Sequence, residues 1–196
     1  DTRQFRPPAD RGAARARLGL IRPTLLSVGH LIERKGHHLV VRALVDLPGC
    51  DLLIAGEGPE RRRLTALIAE LGLGDRVRLL DARPHAEMAE LYGAADLLVL
   101  ASSREGWANV LLEAMACGTP VVATNIWGNP EVVRARAAGV ITERDPGAIA
   151  AAAASLLADP PARADTRAYA EGFSWDETTA GQLALFRRVL SRSPPA

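Results

Sequence analysis

Cysteine is scarce in this sequence, and long hydrophobic runs are absent from it. The two cysteines, Cys50 and Cys117, lie in unrelated contexts, so they indicate neither a disulfide framework nor a pair of metal ligands. No apolar run reaches the roughly 18 residues of a membrane-spanning helix, and no segment has the pattern of a signal peptide. These absences predict a cytoplasmic protein without a transmembrane helix.

Net charge is also almost absent. The 196 residues carry a formal charge of +1, which argues against an obligate nucleic-acid partner. The positive charge is nevertheless uneven, because residues 1–22 contain six arginines against two aspartates. These arginines are either solvated or part of a surface that meets anionic lipid or a partner domain. The second alternative would bring the protein into peripheral contact with the inner face of a membrane.

The sequence lacks a metal-binding pattern and the usual dinucleotide fingerprints as well. His37, His38 and His85 show no metal-ligand spacing and form no cluster with carboxylates, so we predict no metal site. Neither the G-x-G-x-x-G of a dinucleotide-binding loop nor the G-x-x-x-x-G-K-[ST] of a P-loop is present. An NAD-dependent Rossmann enzyme is therefore disfavoured.

The sequence does contain a regular alternation of short apolar runs with longer amphipathic stretches. Short, continuously apolar strands separated by helices are typical of a parallel sheet that is covered on both faces. The predicted fold class is therefore α/β, with a doubly wound, Rossmann-like parallel sheet. We predict strands at 24–28, 51–55, 76–80, 96–100, 120–123 and 139–141, and helices at 38–47, 60–71, 87–94, 110–116, 130–135, 147–158 and 174–190.

The stretch richest in chemistry is 102–113, SSREGWANVLLE, which follows the fourth predicted strand and opens a helix. Ligands bind at the carboxyl ends of parallel strands, and free N–H groups with the helix dipole favour an anion there. Gly106 would let that anion approach the backbone closely. Glu105 and Glu113 would lie about 12 Å apart in a continuous helix, which suits the two ends of an extended ligand with a diphosphate between them.

A second anion-binding signal follows the first predicted strand. Residues 28–36, VGHLIERKG, form a glycine-flanked basic loop that would bring His30, Arg34 or Lys35 to the same crevice as Glu105. After the third predicted strand, Arg83-Pro84-His85 would form a wall against a planar base.

Residues 105–122, EGWANVLLEAMACGTPVV, resemble the E-x7-E signature of the retaining glycosyltransferases of the GT-B fold, family 4 (group 1). Agreement in order and spacing extends over essentially the whole chain, at 28–36, 52–59, Ala95-Asp96 and Phe173-Ser174-Trp175. The resemblance implies the C-terminal, donor-binding half of a GT-B fold. We accordingly expect a linker from a missing N-terminal domain at 1–22, a nucleotide-sugar-binding Rossmann-like domain at 23–172 and a C-terminal helix at 173–196.

The resemblance also implies a role for individual residues. Glu105 matches the glutamate that contacts the transferred sugar, Glu113 the one that binds the ribose hydroxyls, and Lys35 the lysine that pairs with the diphosphate. Glu105 and Lys35 are thus the expected catalytic residues. The family usually has arginine where this chain has His30, and Arg34 is a candidate substitute for that phosphate contact. Further expected donor contacts are the backbone of Gly106, Trp107 and Ala108 at the phosphates, and Asn109 beside them. Leu80, Arg83 and Pro84 are expected beside the base.

The implied activity is transfer of a sugar from a nucleotide-sugar, a UDP- or GDP-sugar, to an acceptor hydroxyl, with retention and without a metal or other cofactor. The missing N-terminal domain would bind the acceptor, which the sequence leaves open between a lipid, a sugar and a small molecule. We expect the isolated domain to have little or no activity. Two alternatives stay open at this point: a non-catalytic nucleotide-binding module, and a GT-B-like sugar-nucleotide epimerase.

Overall fold

A computed structural model of the chain describes residues 2–173 and 175–191. Six strands form one sheet in the order β3-β2-β1-β4-β5-β6, and each neighbouring pair is parallel. This is the doubly wound, Rossmann-like sheet that the apolar alternation predicts, and the fold class is confirmed. The strands are β1 Thr24–Val28, β2 Asp51–Ala55, β3 Val77–Leu80, β4 Leu97–Leu100, β5 Val121–Thr124 and β6 Gly139–Thr142.

The helices connect these strands and cover both faces of the sheet. Their bounds are α1 Arg11–Arg17, α2 His37–Ala43, α3 Arg61–Glu70, α4 His85–Ala94, α5 Asn109–Ala116, α6 Asn129–Val132, α7 Pro146–Ala158, α8 Arg163–Glu171 and α9 Trp175–Leu190. On one face α1, α4, α5 and α8 pack together, and on the other α2 packs against α3 and α7. Each layer has its own buried cluster, which includes Tyr92 and Met115 in the first layer and Leu44 and Leu52 in the second. Burial of the strands on both faces explains why they read as continuous apolar runs.

Two helices, α1 and α8, were not predicted from the sequence. The first lies within the segment 1–22, where Arg11 and Arg15 both donate to the Asp96 carboxylate at the start of β4, at 2.6 and 2.9 Å. Phe5 is 2% exposed within the same layer of the core. These two arginines therefore serve the packing of the fold, and residues 5–17 pack against α4 and the rest of that layer. Helix α8 begins shortly after the two prolines at 160–161, and it packs against α5.

At the C-terminal side, α9 runs over most of the predicted helix at 174–190. Ser174, which the sequence pattern suggests as its N-cap, lies outside the described residues. Among the described residues, no helix is both long enough and apolar enough to cross a membrane.

Candidate functional site

The chain order of the sheet reverses between β1 and β4, and the candidate site lies at the carboxyl ends of these two strands. Strand β1 pairs with β2 on one side and with β4 on the other. At such a switch point the two following loops diverge to opposite faces and leave a crevice. The first of these loops follows Val28 and contains the basic residues of 28–36. The second follows Leu100 and contains residues 102–108.

Lys35 and Glu105 meet in this crevice. Lys35 Nζ donates to Glu105 Oε1 at 2.5 Å, across 70 residues of sequence. Ser102 Oγ donates to the same carboxylate oxygen at 2.6 Å. The two charged side chains are only 18% and 10% exposed, so this pair is far less screened by water than a surface ion pair. We refer to Lys35, Ser102 and Glu105 as the Lys35 end of the site.

A glycine permits this close meeting of the two loops. Gly36 has a φ of 70° and ends the short 3-10 turn Glu33–Lys35. A Cβ at this position would collide with the carbonyl oxygen of Ala101, which directly precedes Ser102. Only glycine combines the left-handed conformation with this close backbone approach. Gly36 therefore sets the position of Lys35 against the loop that carries Glu105.

The other two basic residues of the first loop lie less centrally. Arg34 Nη1 donates to the carbonyl oxygen of Arg104 at 2.7 Å and lies 4.0 Å from Glu105 Oε2. Its side chain is 45% exposed. His30 is also exposed, one residue after Gly29. Arg34 thus lies beside the Lys35 end, where a negatively charged ligand would meet its guanidinium group.

Helix α5 begins at Asn109, directly beside the Lys35 end. In the part of the chain that the structure describes, the backbone N–H groups of Gly106, Trp107 and Ala108 donate no hydrogen bond. A Cβ at Gly106 would meet no atom within 4 Å, so the space beside this backbone is open. Unpaired N–H groups at a helix start are suited to an anionic ligand. Trp107 and Asn109 are exposed around them.

The structure corrects the expected separation between Glu105 and Glu113. The separation of about 12 Å between Glu105 and Glu113 assumed that the whole interval is helical. Residues 105–108 precede α5 and do not follow the helical path, so that estimate does not apply. The physical reason is that the backbone leaves β4 as a loop, in which Glu105 turns towards Lys35 before the helix starts.

Glu113 lies on α5 and is held by two side chains of α4. Tyr92 donates its hydroxyl hydrogen to Glu113 Oε2 at 2.8 Å, and His85 Nε2 lies 3.4 Å from Glu113 Oε1. Burial, followed by the neighbouring Glu113 carboxylate, raises the pKa of Tyr92 well above its ordinary value. Tyr92 therefore stays protonated and remains a donor at neutral pH. We refer to Tyr92, His85 and Glu113 as the Glu113 end of the site.

The segment 80–84, which is expected beside the base, directly precedes His85 of the Glu113 end. Leu80 ends β3 and is half-buried, whereas Arg83 is exposed and lies 3.6 Å from Glu87. Pro84 precedes the first residue of α4, which is His85. The segment 80–84 therefore runs from the edge of the sheet to the imidazole that contacts Glu113.

Sequence reasoning missed Tyr92 and Ser102, and it assigned no role to Gln4 and Phe5. Tyr92 stands among apolar residues of α4 and has no motif around it, so only the packing of α4 on α5 reveals its contact with Glu113. Lys35, in contrast, was predicted, and the composition singles it out as well. It is the only lysine of the chain, whose other basic side chains are arginine and histidine.

Among the described residues, the two cysteine thiols and the possible metal ligands form no further reactive site. Cys117 is fully buried, and burial raises the pKa of its thiol to about 12, so it is no nucleophile at neutral pH. Cys50 and Cys117 are both free thiols. Within residues 2–173 and 175–191, no group of three or more His, Cys, Asp or Glu side chains could hold a metal ion.

The model of one protein family, described as "Glycosyl transferases group 1", matches residues 13–173 of this chain. The chain belongs to this family. Among curated relatives, D-inositol 3-phosphate glycosyltransferase 1 of Catenulispora acidiphila is 38% identical over 210 aligned residues. The alignment covers 97% of this chain but 50% of the relative, so the chain spans about half the length of the curated relatives it matches.

Solved structures of glycosyltransferases have the same architecture. Sucrose-phosphate synthase from Thermosynechococcus elongatus superposes with a TM-score of 0.84 at 33% identity, over 98% of this chain and 51% of that one. The Anabaena protein HepE, in complex with UDP and glucose, superposes with a TM-score of 0.83 at 26% identity, over 98% and 55%. The group 1 chain described here thus has the fold of one half of a GT-B glycosyltransferase.

Proposed function

We propose that this chain is the donor-binding half of a retaining glycosyltransferase that transfers a sugar from a nucleotide-sugar to an acceptor hydroxyl. The observation that carries the proposal is the meeting of Lys35 and Glu105 beside the open N–H groups that precede α5. The family match and the UDP complex of the similar HepE protein support it. A UDP-sugar or a GDP-sugar is the expected donor.

The Lys35 end would bind the diphosphate and the transferred sugar. Lys35 and the N–H groups of 106–108 present positive charge where negative charge develops on the departing diphosphate. Because these groups supply the charge, we propose that no divalent metal takes part. Glu105 Oε1 already accepts hydrogen bonds from Lys35 and Ser102, which lowers its nucleophilicity. This arrangement suits a carboxylate that orients the sugar, and the match to the E-x7-E signature supports retention at the anomeric carbon.

The Glu113 end would bind the ribose. The carboxylate of Glu113 is 18% exposed, which leaves its remaining lone pairs open to two vicinal hydroxyl donors. Tyr92 fixes one of its oxygens from the buried side. The base would lie against 80–84, the segment that ends at His85. His30 and Arg34 are proposed to contribute outer phosphate contacts.

The acceptor site and the closure of the cleft are proposed to belong to a domain outside this chain. The chain spans half of its relative from Catenulispora acidiphila, which leaves room for such a domain in the whole protein. Alone, the chain is expected to bind the donor with little or no turnover, since transfer needs both substrates positioned and water excluded. A cytoplasmic protein is the proposed setting, and the acceptor stays open between a lipid, another sugar and a small molecule; peripheral membrane contact is the alternative that a lipid acceptor would require.

The test is isothermal titration of the chain with UDP, GDP, ADP, their sugar conjugates and inorganic pyrophosphate. Lys35→Met removes the charge and keeps an unbranched side chain that is one atom shorter, and we expect it to weaken pyrophosphate and nucleotide binding alike, by about tenfold or more. Glu113→Ala removes only the ribose contact. It should weaken nucleotide binding by a similar factor and leave pyrophosphate binding unchanged.

The matched controls are Arg62→Ala and Glu70→Ala, exposed residues of α3. Neither should change any affinity. Equal loss of pyrophosphate binding in Lys35→Met and Arg62→Ala would contradict a specific phosphate contact. In the parent protein, donor binding without turnover would instead indicate a non-catalytic nucleotide-binding module, and rapid nucleotide release without an acceptor would indicate an epimerase.

A further inference from the structure

The segment that precedes α1 contacts the Glu113 end of the site. Gln4 Nε2 lies 2.8 Å from His85 Nδ1, and His85 Nε2 in turn lies 3.4 Å from Glu113 Oε1. An amide N–H can only donate, so Nδ1 of His85 is the acceptor of this bond. In the neutral imidazole the hydrogen therefore resides on Nε2, where it is directed at Glu113. In this orientation Gln4, together with the Glu113 carboxylate that can only accept, favours the tautomer that donates to the carboxylate.

Phe5 holds the same imidazole by aromatic packing. Its ring is 2% exposed and lies edge-on to His85 with 4.8 Å between ring centroids. The same ring lies edge-on to Tyr92, at 5.9 Å. Phe5 therefore packs against both side chains that hydrogen-bond to Glu113, and edge-to-face pairs of this kind restrict ring orientation.

The segment is anchored to the helix that carries Glu113. Arg167 Nη1 donates to the carbonyl oxygen of Phe5 at 2.7 Å and to that of Ala116, the last residue of α5, at 2.6 Å. Pro8 lies so close to α4 that a Cβ at Gly93 would collide with its ring. The position of residues 4–8 is thus coupled to both α4 and α5.

We propose that Gln4 and Phe5 are positioning residues for ribose recognition, acting on Glu113 through His85. The proposal rests on the proposed function, because it presumes that Glu113 binds the ribose hydroxyls. It adds that the segment before α1 is part of the nucleotide site. Any change in how this segment is connected or placed would then change the affinity for the nucleotide and leave the affinity for its phosphates unchanged.

The experiment titrates the full chain with UDP and GDP and with their 2′,3′-dideoxy counterparts, which lack the hydroxyls that Glu113 would bind. Gln4→Ala should raise the Kd of the ribonucleotide about threefold, and His85→Ala about fivefold to tenfold. Gln4→Ala should leave the Kd of the dideoxynucleotide unchanged, and His85→Ala, which also removes a side chain beside the base, should raise it less than it raises the Kd of the ribonucleotide. His85→Gln restores an amide donor towards Glu113 and should recover most of the loss. Gln182→Ala, on the exposed surface of α9, is the matched control and should change nothing.

A second measurement does not depend on any ligand. Nitrogen-15 NMR of the imidazole rings, with His85 assigned through His85→Gln, should show the Nε2–H tautomer in the unsubstituted chain and a mixture in Gln4→Ala. The same tautomer population in both would overturn the role of Gln4. Phe5→Leu keeps an apolar side chain in the core and should broaden the same signals.

The outcomes separate this inference from the proposed function. If Glu113→Ala changes the Kd of the ribonucleotide and of the dideoxynucleotide by the same factor, or changes neither, the ribose assignment fails and the inference fails with it. The same holds if the unsubstituted chain binds no nucleoside diphosphate. If Glu113→Ala abolishes the discrimination while Gln4→Ala and His85→Ala leave it intact, only the positioning role is overturned.

Discussion

The two ends of the candidate site are held by different kinds of contact. At the Lys35 end, a lysine, a serine hydroxyl and a carboxylate meet through charge-assisted hydrogen bonds between two loops. At the Glu113 end, a carboxylate on α5 is held by a phenol and an imidazole of α4, and Phe5 packs behind both. The first end depends on the backbone of the sheet, and the second depends on side-chain packing between helices.

This difference predicts which kind of substitution should disturb each end of the site most. The Lys35 end is positioned by strand pairing, so backbone strain in its loops should have larger effects than loss of a single side-chain contact. The Glu113 end keeps its backbone in regular helices, so removing one side-chain contact should have a limited and graded effect. Three substitutions test this difference, from the largest expected effect to the smallest.

Gly36→Ala should be the most damaging. The new Cβ would collide with the Ala101 carbonyl oxygen, and alanine would have to adopt the left-handed φ of 70°. We expect a loss of at least about 3 kcal/mol in the free energy of unfolding, measured by urea denaturation. Gly74→Ala is the control, because a Cβ there meets no atom within 4 Å. Equal stability of the two variants would contradict the backbone constraint at the Lys35 end.

Acidification should reveal a second weakness beside the Lys35 end, at His37. This residue follows Gly36, is 2% exposed and bonds to Ser27 Oγ through Nδ1 at 2.9 Å. Burial lowers the pKa of His37 from 6.5 to about 4. The unfolded chain therefore takes up a proton at higher pH than the folded one, so the contribution of His37 is fully present above pH 6.5 and is lost as the pH falls towards about 4.

The expected loss over this interval is about 3 kcal/mol. It is measured as the change in the free energy of unfolding between pH 7.5 and about pH 4. His37→Asn keeps a polar atom near Ser27 and removes the titrating group, so its stability should depend less on pH over this range. An unchanged pH dependence in the variant would assign the effect to other groups.

Tyr92→Phe should have the smallest effect of the three. It removes the hydrogen bond to Glu113 Oε2 and keeps the ring that packs against Phe5. Because Glu113 is 18% exposed and water can replace part of the contact, we expect a loss of about 1 kcal/mol in stability. Affinity for a nucleoside diphosphate should fall about fivefold in titration, and pyrophosphate binding should be unaffected. A loss as large as that of Gly36→Ala would contradict the distinction between the two ends.

Much of the fold could be predicted from the sequence. The bounds of β1 and β2 agree with the apolar runs to the residue, and the other four strands differ by one residue at their ends. Helix α1 was missed because its apolar face is supplied mainly by alanine and its contacts are made by Arg11 and Arg15. Such contacts depend on where Asp96 lies in space, and no local periodicity reports them.

The candidate site divides in the same way. The sequence alone predicted that the basic loop 28–36 and Glu105 would share one crevice, because each follows an apolar strand and the carboxyl ends of parallel strands meet at one edge of the sheet. The structure shows that Lys35 is the residue of this loop that hydrogen-bonds to Glu105. Only the tertiary structure decided what surrounds Glu113. Tyr92, His85 and Gln4 lie 21, 28 and 81 residues from their partners in the chain. These contacts arise from the packing of α4 on α5 and of residues 4–8 on both, and side-chain packing between helices leaves no periodic pattern in a sequence.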